Sequence, residues 1–231
     1  MGRFINADEI DLLGADGSLT GYNIFAYCEN NPVTGYDPNG TLDFGNLLQG
    51  SSWIVAGVTA IAVGVSVLTC GVAAPAMMVV AAVTVAAGAA TAVNGVSELG
   101  EAVTGHNFMR DDVFDGNSTA YYIYANATAT AAEIGTVICG GWLKANEPRI
   151  KAYKNIDTYE YTKTISDAEH MSRSYANSIL TQKEVIKYGN MTTDSFGYVF
   201  SEFGYVNGEE TLWRLGVNIE KELVWHWGHG F

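Results

Sequence analysis

The sequence predicts an α+β protein built in three segments: a short β-rich stretch over residues 1–42, an apolar α-helical hairpin region over 43–143, and a small C-terminal α+β domain with an antiparallel sheet over 144–231. Three observations predict it. Tight-turn pairs punctuate short apolar runs at the start of the chain. No Asp, Glu, Lys or Arg occurs from Phe44 to Ser97. Near the other end, helical texture gives way to aromatic and β-branched runs, the order of an α+β domain.

In the first segment, "GADGS", "ENNPVTG" and "YDPNG" separate runs such as "YNIFAY". Pro fixes φ, while Asn and Gly tolerate positive φ, so these pairs set turns between short strands. A stretch of this length buries too little apolar area to stand alone, and it reads as the tail of something larger.

The second segment is almost continuously apolar from Trp53 to Val93, with Gly71 and Pro75 breaking it in the middle. Two arms of about 18 residues result, close to the ~20 that span a bilayer. They are rich in Ala, Gly, Val and Thr, the small residues that let helix backbones approach closely in membranes. Membrane contact through 53–93 is therefore expected, against the plainer reading of a hairpin buried in a soluble assembly. In "STAYYIYANATATAAEIGTVICGGW", Tyr124, Ala127, Ala131, Ile134 and Ile138 recur at helical spacing and predict a third helix packing by that stripe.

In the third segment, "SDAEHMSRSY" and "NSILTQKEVIKYGN" read as helices, the second started by a Thr181–Glu184 capping box or by Ser178, and ended at Gly189. "SFGYVFSEFGYV", "TLWRLGVN" and "ELVWHW" then read as antiparallel strands. In the last, His226 lies between two tryptophans at period 2, which puts both indoles on the core face and His226 on the other.

The formal net charge of −13 argues against a protein that coats nucleic acid non-specifically. The charge is uneven: before Gly141 there are 13 acidic and 2 basic residues, after it 12 and 10. The C-terminal part is nearly neutral and admits an anionic substrate. Cys28, Cys70 and Cys139 are odd in number and lack Cys-x-x-Cys spacing, so neither a disulfide scaffold nor a zinc site is expected. "MGRFINADEIDLLG" lacks a basic stretch leading into an apolar one, which predicts export by a specialised route or as part of a larger chain.

Gly2–Arg3–Phe4 with Asp8, then Tyr22–Asn23–Ile24–Phe25–Ala26–Tyr27 with Asn30–Asn31–Pro32, then Asp37–Pro38–Asn39–Gly40 form an ordered set. This set resembles the end of the RHS/YD-repeat core of bacterial polymorphic toxins. The resemblance implies a β-shell formed by the rest of the chain, enclosing a toxin that begins after the Asp-Pro-x-Gly element. Some members cleave themselves there with two aspartates, whose positions Asp8 and Asp37 match. Self-cleaving members usually continue with Leu, whereas Thr41 follows Gly40 here, and Asp37 before Pro38 serves a turn equally well. The stretch "TGHNFMRDDVFDGNSTAYY" with "AEIGTVICGGW" resembles the apolar linker before the toxin in Gram-positive members.

By position the third segment is then the toxin. "HMSRSYANSILTQKEVIKYG" followed by strands and "LVWH" resembles small endoribonuclease toxins of the group related to EndoU, the tRNA-cleaving colicins and RelE. Matched to that group, the catalytic candidates are His170, Arg173, Ser174, Thr211 and His226; Lys183 and Arg214, as cations of the same segment, are the candidate RNA phosphate binders. The resemblance implies a cognate immunity protein, and action in the cytoplasm of a target cell. The chemistry suits these residue types. Metal-free RNA cleavage needs a base for the 2′-OH and an acid for the leaving oxygen, and histidine serves either near neutral pH. Arginine holds the phosphorane charge. No cofactor or metal is expected: His226 and His229 stand three apart, but no Cys is near and the pattern of metal-dependent HNH nucleases is missing. His229, past Gly228, reads as a frayed end. The competing readings are a membrane-active toxin acting through the 53–93 hairpin, and an inactive displaced toxin cassette.

Overall fold

The computed structural model describes residues 43–167 and 178–230, so the turn-rich N-terminal stretch with Asp8 and Asp37 lies outside the described residues. The described chain is α+β and divides into two compact units, one of residues 43–65 with Val80–Ile138, the other of Ser66–Val79 with 139–230. Helix α3 runs unbroken through residue 144, and the tip of the hairpin belongs to the second unit.

Most of three long helices makes the first unit: α1 (Phe44–Thr69), α2 (Pro75–Thr104) and α3 (Ser118–Ala145). Asp43 caps α1, its carboxylate accepting from Asn46 N at 3.0 Å. Pro75 opens α2 at the first position, where a missing N–H costs nothing. The charge-free hairpin thus forms where the sequence predicts, with the break between Thr69 and Pro75.

Its packing follows from residue size. Gly50, Gly57 and Gly64 recur every seven residues on α1, and Ala81, Gly88 and Gly95 do so on the antiparallel α2. A Cβ at Gly57 would lie 2.5 Å from the carbonyl oxygen of Gly88, and one at Gly95 would lie 2.6 Å from that of Gly50. Backbone therefore meets backbone along the whole seam, in the manner of small-residue pairs in membranes. The α3 face that packs is Tyr121, Ala125 and Ala132, all buried. This corrects the expected stripe: Ile134 and Ile138 point outward, while at the middle of α3 Gly135 comes so close to Thr84 of α2 that no larger side chain fits there. The large aliphatics lie outside, with Val55 66%, Val79 64%, Ile123 67% and Val137 74% exposed. Thr59, Thr84, Thr91 and Thr136 donate back to carbonyls one turn earlier, so their hydroxyls are satisfied within their own helices.

A polar cluster closes one end of this unit. The fully buried Glu98 accepts from Tyr121 Oη at 2.7 Å and from Asn107 Nδ2 at 3.2 Å. Asn107 Nδ2 also donates to Glu101 at 2.8 Å, and Arg110 bridges Glu101 and Asp111. Arg110 in turn holds the Asp111 carboxyl below the usual range.

The second unit carries α4 (Glu147–Asn155), the two-residue β1 (Glu160–Tyr161), the short α5 (Lys163–Ser166), α6 (Ile179–Tyr188) and then β2 (Asn190–Asp194), β3 (Gly197–Val206), β4 (Glu209–Asn218) and β5 (Leu223–His229). Ser178 stands at the N-cap of α6, so Thr181 lies within the helix rather than at its cap. Gly189 ends α6 in an extended conformation, not a left-handed one. Asn207 and Gly208 have φ of 54° and 88°, the two consecutive positive values of a tight hairpin turn between β3 and β4.

The sheet order is β1-β5-β4-β3-β2. β3 to β5 form the expected antiparallel meander, β2 extends it beside β3 where the sequence predicts no strand, and β1 adds a parallel edge beside β5, making the sheet mixed. One face is the core: Phe200, Trp213, Leu215, Val217, Val224 and Trp227 pack with Ala152 of α4, Ile156 just after it, and Val185 and Ile186 of α6. Arg149 ties the two helices together, donating to the carbonyls of Ile186 and Lys187 at 2.6 and 3.1 Å where α6 runs out of backbone partners. Burial lowers its guanidinium's affinity for the proton.

Candidate functional site

The sheet's alternation decides which candidates meet. On β4, Trp213, Leu215 and Val217 face the core, so Arg214 and Gly216 face the open side. On β5, Trp227 is in the core and His226, paired with Gly216, is on the open side. Arg214 pairs with Gly228, which makes it the diagonal neighbour of His226, a relation that spans about 7–8 Å. The structure thus brings an imidazole and a permanent cation to one face of adjacent strands.

It does not bring the other described candidates there. Thr211 has the parity of Trp213 and lies on the core face, opposite Gly204. Lys183 belongs to α6 in the helical layer, its Nζ 5.8 Å from the centroid of the Tyr153 ring. Neither converges with His226, because odd positions of β4 and the whole of α6 belong to the covered side. His170, Arg173 and Ser174 lie outside the described residues, as do Asp8 and Asp37.

His229 is not a frayed end. It pairs with Trp213 in β5, its ring 4.7 Å from that indole, on the core side. His226 and His229 therefore point to opposite faces, and the His-x-x-His spacing does not make a shared metal site.

Trp225 also departs from the period-2 expectation. The register slips between Gly216 and Val217, which pair with His226 and Val224 respectively, leaving Trp225 as an extra residue. Val224, not Trp225, fills the core position. A Cβ at Gly216, directed to the open side, would lie 2.7 Å from the indole of Trp225 and 2.9 Å from Cβ of His226. Trp225 and His226 consequently share the open face, ring centroids 6.0 Å apart, and Phe196 lies 5.8 Å beyond Trp225.

The covered side holds one feature that sequence reasoning missed. A cleft of about 490 Å³ opens between α6 and the β3–β4 hairpin, walled by Trp213, Tyr205 and Val206 and carrying Glu184 and Glu202. Burial, and then the charge of Glu184, raises the Glu202 pKa above its ordinary value of 4.5. The signal was present in "GYVFSEFGYV", where Glu202 keeps the parity of the core residue Phe200.

Comparison of the chain with family models, curated proteins and solved structures finds no significant match.

Proposed function

We propose that the chain is the C-terminal tip of a bacterial polymorphic toxin, delivered from an RHS shell, whose residues 144–231 form a metal-independent endoribonuclease held in check by an immunity protein. The N-terminal motifs carry the toxin identity. The observation that supports the activity is the diagonal placement of His226 and Arg214 on one face of the neighbouring strands β5 and β4. An imidazole there can serve as the base for the 2′-OH or as the acid for the leaving oxygen, and a neighbouring guanidinium can hold the phosphate oxygens. His170 would supply the second proton-transfer group in this scheme.

Expression of the whole chain in a bacterial cytoplasm, with growth and RNA integrity followed together, tests it. His226→Ala and Arg214→Ala should each leave RNA intact and restore growth. RNA degradation at the wild-type rate in His226→Ala rejects the scheme.

A second reading has its own observation. α1 and α2 are each long and apolar enough to cross a membrane, and their large aliphatics point outward while the small residues lie within. That arrangement suits lipid, where no hydrophobic force drives large side chains inward. In this reading the hairpin permeabilises the bilayer or carries the C-terminal unit across it. Leakage of a dye from anionic vesicles, abolished by Val83→Lys while RNA cleavage is retained, would support it; vesicles that stay sealed with the wild-type chain would sink it.

A further inference from the structure

We infer that Trp225 and Phe196 form a stacking subsite for an unpaired base, which makes single-stranded RNA the substrate class of the His226 face. The inference rests on the ribonuclease reading. Its starting point is the bulge. A regular β5 would have buried Trp225; the extra residue turns the indole out beside His226 instead. Gly216 makes this possible, since any side chain there would occupy the place of the indole. Bulges of this kind re-aim side chains next to functional sites.

The surroundings select the ligand. Phe196, next to Trp225, is 66% exposed, so the aromatic pair has an open edge rather than a covered one. The indole N–H of Trp225 is shielded from solvent and finds no acceptor among the described residues. Arg214, on the strand next to β5, adds a cation on the same face. An exposed aromatic pair, its rings tilted 48° to one another and bordered by a guanidinium and an imidazole, matches a nucleotide better than an apolar protein surface. Every base has a π-face, and the sugar-phosphate beside it carries the charge that Arg214 complements. In a duplex those faces are already stacked and the groove does not present them, so the base must be unpaired.

The test uses the whole chain. Cleavage of a short single-stranded oligoribonucleotide is measured for wild type, Phe196→Ala, Trp225→Ala and Trp225→Phe, and binding of the same strand is measured in the His226→Ala background. Loss of stacking should weaken binding and raise KM by roughly tenfold or more in Phe196→Ala and Trp225→Ala, with kcat little changed. Trp225→Phe should retain most of the affinity, and the duplex form of the same strand should bind at least tenfold more weakly than the single strand. Wild-type cleavage with unchanged KM in Phe196→Ala and Trp225→Ala overturns the subsite and leaves the ribonuclease reading standing. Equal affinity for duplex and single strand overturns the unpaired-base assignment. Absence of both cleavage and binding in the wild type overturns the two readings together.

Discussion

Replacing Gly57 with Ala probes the helical seam most directly. A methyl group at this position would meet the Gly88 carbonyl oxygen at 2.5 Å, Ala92 N at 2.7 Å and Ala92 Cβ at 2.9 Å, where ordinary contact is 3.4–4 Å. Two of these are backbone atoms and cannot rotate away, so α1 and α2 must separate by something near an ångström. Overpacking of this kind costs about 1–3 kcal/mol. Against it stands the helix propensity of Ala over Gly, about 1 kcal/mol in favour. The steric cost should win, with a net loss of up to about 2 kcal/mol. Gly140→Ala is the control: this glycine lies in α3 with nothing within 4 Å of its added Cβ, so only the propensity gain of about 1 kcal/mol applies. Urea unfolding of the full chain, followed by far-UV circular dichroism, reads both. The midpoint should fall for Gly57→Ala and rise for Gly140→Ala. If Gly57→Ala stabilises as much as Gly140→Ala, the close backbone seam does not exist in solution.

Three further outcomes follow from the arrangement of the two units. Thr211→Ala and Lys183→Ala should cleave RNA within a few fold of wild type, since both side chains lie on the covered side; in an RNA-cleavage assay, a loss equal to that of Arg214→Ala would show that the cleavage site is not on the open face. The Glu202 carboxyl is raised in the fold, so its contribution to stability is fully present below its unfolded value and is lost as pH rises through the folded one. Thermal unfolding should therefore show the second unit weakening above about pH 4.5, and Glu202→Gln should flatten that decline; an unchanged pH profile would contradict the raised Glu202 carboxyl. Asn107→Ala removes a donor from Glu98, which keeps Tyr121, and from Glu101, which keeps Arg110, and takes the acceptor from Ser97; it should cost about 1–3 kcal/mol in the same unfolding assay.

The sequence by itself determined the elements. A run without charges, interrupted by Gly71 and Pro75, can only bury its backbone polar groups as two helices with a turn. Alternating aromatic and β-branched residues after Asn190 can only pleat into a meander. Those signals are local, and local propensity reports them. Faces are another matter. The stripe expected on α3 was apolar at the right spacing, yet the helix packs by Tyr121, Ala125 and Ala132, with Gly135 close against Thr84 of α2.

The site divides the same way. The resemblance to ribonuclease toxins singled out His226, the chemistry of anion binding added Arg214, and the strand parity that unites them is readable in "TLWRLGVN" and "VWHW". Parity also excludes Thr211, two residues before Trp213, once the core tryptophan is known. That Trp225 turns outward, however, depends on one extra residue in a hydrogen-bond ladder between β4 and β5. No pattern within β5 encodes the slip: it arises because Gly216 leaves space on the partner strand, where the indole settles instead of in the core. Only the tertiary structure, in which two strands are in register, could decide which side of the sheet carries that ring.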